Sequence, residues 1–247
     1  MIVERQATPW YLARAAARHF VARSLEAVAI KGSFTVALSG GSTPRSLYEV
    51  LADAHEPFRA LVPWSNIYFF WSDERHVLPD HPDSNYRMAY EAMLSHAPVS
   101  EYNVHRIPSE NPDAVAAAQA YEETLIRVTK ASLPQLDLIL LGLGTDGHTA
   151  SIFPDSEVLQ ESKRLVAAPW VEQLKTYRIT MTLPLINNAA SVLFLVSGTD
   201  KAEIVKEVVQ GTKRYPAQEV RPGNGELIWL LDREAAGKLG QDLQDFS

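Results

Sequence analysis

The sequence predicts an α/β fold: a mostly parallel sheet covered by helices on both faces. Two observations carry this prediction. Short apolar runs rich in β-branched and aromatic residues recur through the 247 residues, most of them bounded by Gly, Pro, Asp or Ser. The runs are continuously apolar and alternate with helical patterns, as strands buried on both faces do, whereas a half-solvated sheet shows alternating residues. The length suits one large domain or two small ones. With no internal repeat and no low-complexity linker, a single domain over residues 1–247 is expected.

In chain order, Thr8-Pro9 reads as the N-cap and first residue of a long opening helix that reaches about Ile30, where Gly32 supplies a stop. "SFTVALS" (33–39), "SNIYFFWS" (65–72), "NVHRI" (103–107), "LDLILLGLG" (136–144), "RLVAA" (164–168), "YRITMT" (177–182), "SVLFLVSG" (191–198) and "ELIWLL" (226–231) read as strands. Helical patterns fall between them, over 44–51, 84–94, 112–130 and 201–210. In the third, Ala114, Ala118, Tyr121, Leu125 and Val128 recur at helical spacing and make one apolar face. The stretch "YPAQEVRPGNGE" (215–226) reads as a surface loop at most.

Composition narrows the function. At 46% hydrophobic and 21% charged residues, with no apolar run of about 18 residues, a membrane span is not expected. The charged N-terminus lacks the pattern of a secretory signal, and with no cysteine there is no thiolate chemistry, which suits a reducing cytoplasm. A formal charge of -7 argues against nucleic acid as a partner, which needs a basic face to displace counterions. A small anionic ligand is still compatible, met by a few local cations and backbone N–H groups. Oligomeric state is left open.

In open parallel sheets ligands bind beyond the carboxyl ends of the strands. After "TVAL" comes "SGGSTP" (39–44): Gly40 and Gly41 allow a tight turn, Ser42 or Thr43 can cap, and Pro44 fits the first turn of a helix. The result is an anion cradle or simply a well-capped turn. After "IYFFW" comes "SDERHVLPDHPDSN" (72–85), with Asp73 and Arg75 directly at the strand end. It reads as a solvated turn or a binding segment, with Asp83 or Ser84 capping the next helix; His76 and His81 do not have the spacing of a metal site.

The third strand end is "GLGTDGHTASIFPD" (142–155). Its turn, with Gly144, can aim consecutive N–H groups at one point. His148 can be a base, a metal ligand, a phosphate contact or a polar loop residue, and Asp146 is close enough in sequence to orient its ring. No nucleophile elbow surrounds Ser151. The fourth is "SGTDKAEIV" (197–205), where Asp200 and Glu203 suit an N-cap and N3, while Lys201 at a helix start opposes the helix dipole unless it holds an anion. Arg178 lies among strand residues, at an exposed edge or directed at a ligand.

Taken together and in this order, "SGGSTP", "SDERHVLPDHPDSN", "GLGTDGHTASIFPD", "YRITMTLPLINNA" and "SGTDKA" resemble the glucosamine-6-phosphate isomerase/6-phosphogluconolactonase family, over roughly residues 8–240. The resemblance implies a modified Rossmann-like fold, shared with glucosamine-6-phosphate deaminases, ribose-5-phosphate isomerases and CoA-transferases. Deaminases of the family read "DGHIAFNEP" where this chain reads "DGHTASIFP". Phe153 thus stands in place of the glutamate that assists ring opening, which implies the lactonase activity. Arg75 also fits the lactonase pattern, where deaminases tend to have tyrosine; Leu183 departs from it, since many lactonases have proline there.

By the same resemblance, the substrate is 6-phospho-D-glucono-1,5-lactone, hydrolysed without cofactor or metal. His148, oriented by Asp146, activates water, and Arg75 or backbone N–H groups of a glycine-rich turn stabilise the oxyanion. Gly40, Gly41, Ser42, Thr43, Asp73, Gly144, Arg178 and Lys201 bind substrate, with Arg178, Lys201 and the N–H groups of residues 41–43 at the phosphate.

Overall fold

The structure, a computed structural model, describes residues 1–240. The strands are β1 (Ile2–Gln6), β2 (Phe34–Leu38), β3 (Ile67–Trp71), β4 (Asp73–Arg75), β5 (Leu138–Leu141), β6 (Val166–Ala167), β7 (Trp170–Val171), β8 (Thr176–Met181), β9 (Ser191–Val196) and β10 (Glu226–Asp232). The helices are α1 (Pro9–Lys31), α2 (Ser42–Ala52), α3 (Phe58–Leu61), α4 (Asn85–Ala89, continued by a π-helical turn to Leu94), α5 (Ala114–Thr129), α6 (Leu183–Ile186) and α7 (Ala202–Gln210).

The main sheet has six strands in the order β1, β10, β9, β5, β2, β3, every neighbouring pair parallel. Every residue of β2, β5 and β9 is buried. Successive strand residues point to opposite faces, so both faces are covered, as the continuous apolar runs require. The opening helix starts where the sequence indicates: Thr8 Oγ1 accepts the N–H of Tyr11, and Gly32, at φ +79°, ends the helix with its N–H on Val28 O. Two buried tyrosines close strand ends. The Tyr48 hydroxyl bonds both backbone groups of Ser39, just past β2, and the Tyr121 hydroxyl does the same for Trp71, the last residue of β3. Burial pushes both phenols above their ordinary pKa.

Between β2 and β5 the winding direction reverses: the chain steps outward from β2 to β3, then returns to lay β5 on the other side of β2. Such a switch point opens a crevice beyond the strand ends. It is walled by a second, antiparallel sheet, β4, β8, β6, with β7 also paired to β8. The fully buried Ser72 joins the two sheets, its N–H and hydroxyl donating to Leu38 O and its carbonyl accepting from Met181 N.

Several elements differ from the sequence reading. "NVHRI" is no strand: Val104 makes one isolated bridge to Phe69, between a 3-10 turn at Glu101–Asn103 and Pro108, which leaves too short a length to extend the sheet edge. "RLVAA" and "YRITMT" are strands of the antiparallel sheet, with "RLVAA" reduced to Val166–Ala167. β1 was not foreseen, because the polar run Glu4-Arg5-Gln6 hides an edge strand that pairs only with β10. "YPAQEVRPGNGE" is more than a surface loop: Pro216–Glu219 form a 3-10 turn, and Pro216, Ala217 and Val220 are buried.

Candidate active site

A cleft of about 790 Å³ opens at the switch point, and every residue that the sequence singled out for the site lines it: Gly40, Gly41, Ser42, Thr43, Asp73, Arg75, Gly144, Asp146, His148, Arg178 and Lys201. It draws on the loops after β2, β3, β5 and β9 and on β8 of the smaller sheet.

After β2, the helix begins earlier than Pro44. Gly41 is the N-cap, at φ +107°, a conformation that favours glycine, and Ser42 is the first helical residue. No side chain caps this end and no acidic residue stands in its first turn, so neither Ser42 nor Thr43 acts as the cap. The uncapped N–H groups are available to an anion. Gly40 serves a different purpose: a Cβ there would lie 1.9 Å from Asn85 Oδ1, so glycine lets Asn85 approach.

The segment after β3 is held by a buried carboxylate. Glu74 accepts the N–H groups of Arg75, Asn85 and Tyr86 and the Ser84 hydroxyl, and so fixes the start of α4, where Ser84, one of the two candidates, is the N-cap. Burial raises its pKa, partly offset by those N–H donors. Asp73 is buried against the cleft. Its Oδ2 accepts the Ser151 hydroxyl at 2.6 Å and its Oδ1 accepts Asn85 Nδ2 at 3.4 Å. His76 Nε2 lies on Asn111 O and His81 Nδ1 accepts Asp83 N–H; among the described residues no three His, Cys, Asp or Glu side chains cluster to hold a metal.

Antiparallel pairing of β4 with β8 sets Arg75 directly opposite Arg178. Like charges in that position repel, and among the described residues neither guanidinium has a carboxylate within ion-pair distance; Arg75 donates to Asp83 O and Arg178 to Tyr177 O. Burial, and then Arg75, pull the Arg178 pKa below its ordinary value, while Asp73, Glu74 and Asp83 oppose the shift. Negative charge on a ligand near either guanidinium would relieve this repulsion. After β9, Lys201 lines the same cleft and pairs at 3.5 Å with the exposed Asp200. It closes a 3-10 turn, Thr199–Lys201, whose N-cap is Gly198, so Asp200 is not the cap foreseen. Asp232 secures this loop through the Ser197 hydroxyl and Gly198 N–H.

After β5, His148 Nδ1 lies 2.6 Å from Asp146 Oδ1, and the same oxygen accepts the His148 backbone N–H at 3.1 Å. An ionised carboxylate can only accept, so Nδ1 carries the proton and Nε2 is left with its lone pair. Gly144 N–H is spent on His148 O, and Gly147 N–H on Gly144 O. These two glycines therefore offer no free donors to an oxyanion, contrary to the nest the sequence suggested. Gly144 instead makes room: a Cβ would lie 2.1 Å from His148 Nδ1 and 2.6 Å from Asp146 Oδ1. Phe153 packs on the imidazole, with ring centroids 4.3 Å apart. Sequence reasoning missed Asn85, 12 positions from Asp73, and the tie between Ser151 and Asp73, 78 positions apart, because polar residues in loop motifs give no sign of their side-chain partners.

A doubly covered parallel sheet with a His–Asp pair and a cationic cradle at its switch point defines an α/β protein built to handle a small anionic ligand. The chain belongs to the family described as glucosamine-6-phosphate isomerases/6-phosphogluconolactonase, whose model matches residues 7–229. It is 44% identical over 223 residues to a 6-phosphogluconolactonase of Synechocystis sp., covering 88% of this chain and 89% of that protein. Among solved structures, 6-phosphogluconolactonase from Trypanosoma cruzi superposes with a TM-score of 0.84 at 30% identity, covering 96% of each chain. A monomeric glucosamine-6-phosphate deaminase gives a TM-score of 0.82 over 96% of this chain and 100% of that one; at 23% identity it shows the shared fold alone.

Proposed function

We propose that the chain hydrolyses 6-phospho-D-glucono-1,5-lactone to 6-phospho-D-gluconate, as a cytoplasmic enzyme of the oxidative pentose phosphate pathway. The observation that carries this reading is the Asp146–His148 pair with Phe153, not a carboxylate, against its ring. A phenyl ring moves no proton, so His148 has no carboxylate at that place to assist it in opening a sugar ring.

The substrate has a dianionic phosphate at one end and an ester carbonyl at the other. The phosphate is assigned to Arg178, Lys201 and the open N-terminus of α2; the Arg178 guanidinium, which has no carboxylate partner among the described residues, and the uncapped helix end support this assignment. His148 Nε2 then takes a proton from water as its oxygen attacks C1. The carbonyl electrons move to the oxyanion, for which Arg75 is the assigned counter-charge now that Gly144 and Gly147 N–H groups are engaged. As the tetrahedral intermediate collapses, the bond from C1 to the ring oxygen breaks and Nε2 returns the proton to that oxygen. The lactone is an activated ester, so no covalent enzyme intermediate is needed. Asp73, held by Ser151 and Asn85, retains lone pairs to accept sugar hydroxyls.

The test is acid release from freshly made lactone, followed by pH-stat. Release above the spontaneous rate that disappears in His148→Ala is expected; no acceleration by the native chain refutes the reading, and ammonia release from glucosamine 6-phosphate would favour a deaminase. In a complex with 6-phosphogluconate, the phosphate belongs beside Arg178 and Lys201, and a pose with it against His148 overturns the assignment of ends.

A further inference from the structure

We infer that Tyr215 and the turn that follows it, Pro216–Glu219, form a strap that sets the orientation of the Asp146–His148 pair, with Tyr215 a positioning residue acting through Gly147. The inference rests on the proposed role of His148 as the base. Tyr215 is not among the residues lining the cleft, so any effect it has on turnover is indirect.

Two contacts join the strap to the catalytic turn. The Tyr215 ring lies on Gly147 so closely that a Cβ there would come within 2.4 Å of Cδ1 and 2.8 Å of Cγ. Ala217 N–H donates to Gly147 O at 3.1 Å. The second contact governs the histidine through covalent geometry. The peptide between Gly147 and His148 is planar and trans, so its C=O and N–H point in opposite directions. Holding the oxygen on Ala217 therefore aims the His148 N–H the other way, toward Asp146 Oδ1, 3.1 Å distant. That carboxylate oxygen is the one that also binds His148 Nδ1 at 2.6 Å. With Gly147 at φ +83°, the turn has access to alternatives that a side-chain-bearing residue would not, and the Tyr215 side chain packed against it removes them.

The strap is itself anchored at points outside the turn. Tyr215 N–H donates to Gln218 Oε1 at 2.9 Å and Gln218 N–H to Tyr215 O at 3.0 Å. Gln218 Nε2 reaches Val208 O at 3.1 Å, near the C-terminus of α7, the helix that opens directly after Lys201. Asn187 accepts Arg221 N–H at 2.6 Å and donates to Glu219 O at 2.9 Å. One short segment thus connects the helix next to the assigned phosphate lysine with the turn that holds the base.

The experiment compares Tyr215→Ala and Tyr215→Phe with the native chain by steady-state lactone hydrolysis and by the 1H–15N spectrum of the His148 ring. Tyr215→Ala is expected to lower kcat about tenfold or more, since ring misplacement on the order of 1 Å costs up to about 100-fold. KM should change less than about twofold, the strap making no substrate contact. The spectrum should pass from a single Nδ1–H tautomer to a mixture. Tyr215→Phe keeps the ring face and should restore both kcat and the single tautomer; if Tyr215→Ala does not fold, Tyr215→Leu is compared in its place. A folded Tyr215→Ala protein with native kcat and native tautomer, or a Tyr215→Phe protein as impaired as Tyr215→Ala, overturns the inference. The tautomer readout needs no turnover, so it tests the strap even if the lactonase reading fails.

Discussion

Gly144→Ala isolates the space that the Asp146–His148 pair requires. The added methyl carbon would stand 2.1 Å from His148 Nδ1 and 2.6 Å from Asp146 Oδ1, whereas ordinary contact begins near 3.4 Å. The imidazole must therefore retreat by about 1.3 Å and the carboxylate by about 0.8 Å, and the two atoms are the ends of one hydrogen bond. Retreat of either one weakens the bond that fixes the tautomer, and retreat of both moves Nε2 away from the attacking water. A misplacement of this size costs about 100-fold in kcat, or about 2.7 kcal/mol of transition-state stabilisation. Stability should fall by only about 1 kcal/mol, at the low end for overpacking, because both side chains are partly exposed and can yield outward. The assay is lactone hydrolysis with a parallel urea titration. Gly142→Ala, two residues earlier, is the comparison: nothing lies within 4 Å of a Cβ there, so its loss in kcat should be far smaller. A Gly144→Ala enzyme with kcat within threefold of native, or a Gly142→Ala enzyme equally impaired, would refute the argument that Gly144 exists to seat the pair.

Two further outcomes are expected. Arg178→Ala removes a charge-assisted contact to the phosphate, worth about 1.5–3 kcal/mol, and should raise KM for the phosphorylated lactone about 10- to 100-fold while leaving hydrolysis of unphosphorylated gluconolactone nearly unchanged; equal effects on both substrates would contradict the assignment. Glu161→Gln tests a cap outside the cleft. The N–H groups of Lys163 and Arg164 and the Arg164 side chain lower the Glu161 pKa to about 2. Its contribution is thus present above the ordinary carboxylate value and lost as pH falls toward about 2. The stability difference between the native and Glu161→Gln proteins, measured in urea, should shrink across that window, and a difference independent of pH would exclude the ionised cap.

What was legible in the sequence divides along a physical line. A strand buried on both faces must be apolar throughout, so β2, β3, β5, β9 and β10 could be read directly, and the parallel sheet with them. Capping chemistry is local, so Thr8, Gly32 and Ser84 were readable too. β1, which ends in the polar run Glu4-Arg5-Gln6 and relies on β10 for its pairing, carries no such mark, and "NVHRI" has strand composition without room to pair. Most of the residues that line the cleft were legible because the strand ends of one sheet edge must meet, while Arg178 comes from β8 of the smaller sheet. Their partners were not: Ser151 reaches Asp73 across 78 positions, and nothing in either motif announces it.

The glycines show most clearly why composition and role separate. The sequence offers glycine-rich turns after β2 and β5, and the economical reading is free backbone N–H groups in both. After β2 that reading fits, since Gly41 leaves the helix end without a side-chain cap. After β5 the same residue type does the opposite work: Gly144 and Gly147 spend their N–H groups within the turn, and what they supply is absent bulk, for the Asp146–His148 pair on one side and the Tyr215 ring on the other. The proposed anion site and the proposed base thus call on glycine for different reasons. Only the contacts that a Cβ would make distinguish them, and those contacts lie with residues distant in sequence as well as near. The strap from Tyr215 to Glu219 belongs to the second kind, which is why a segment read as surface loop bears on the histidine at the centre of the site.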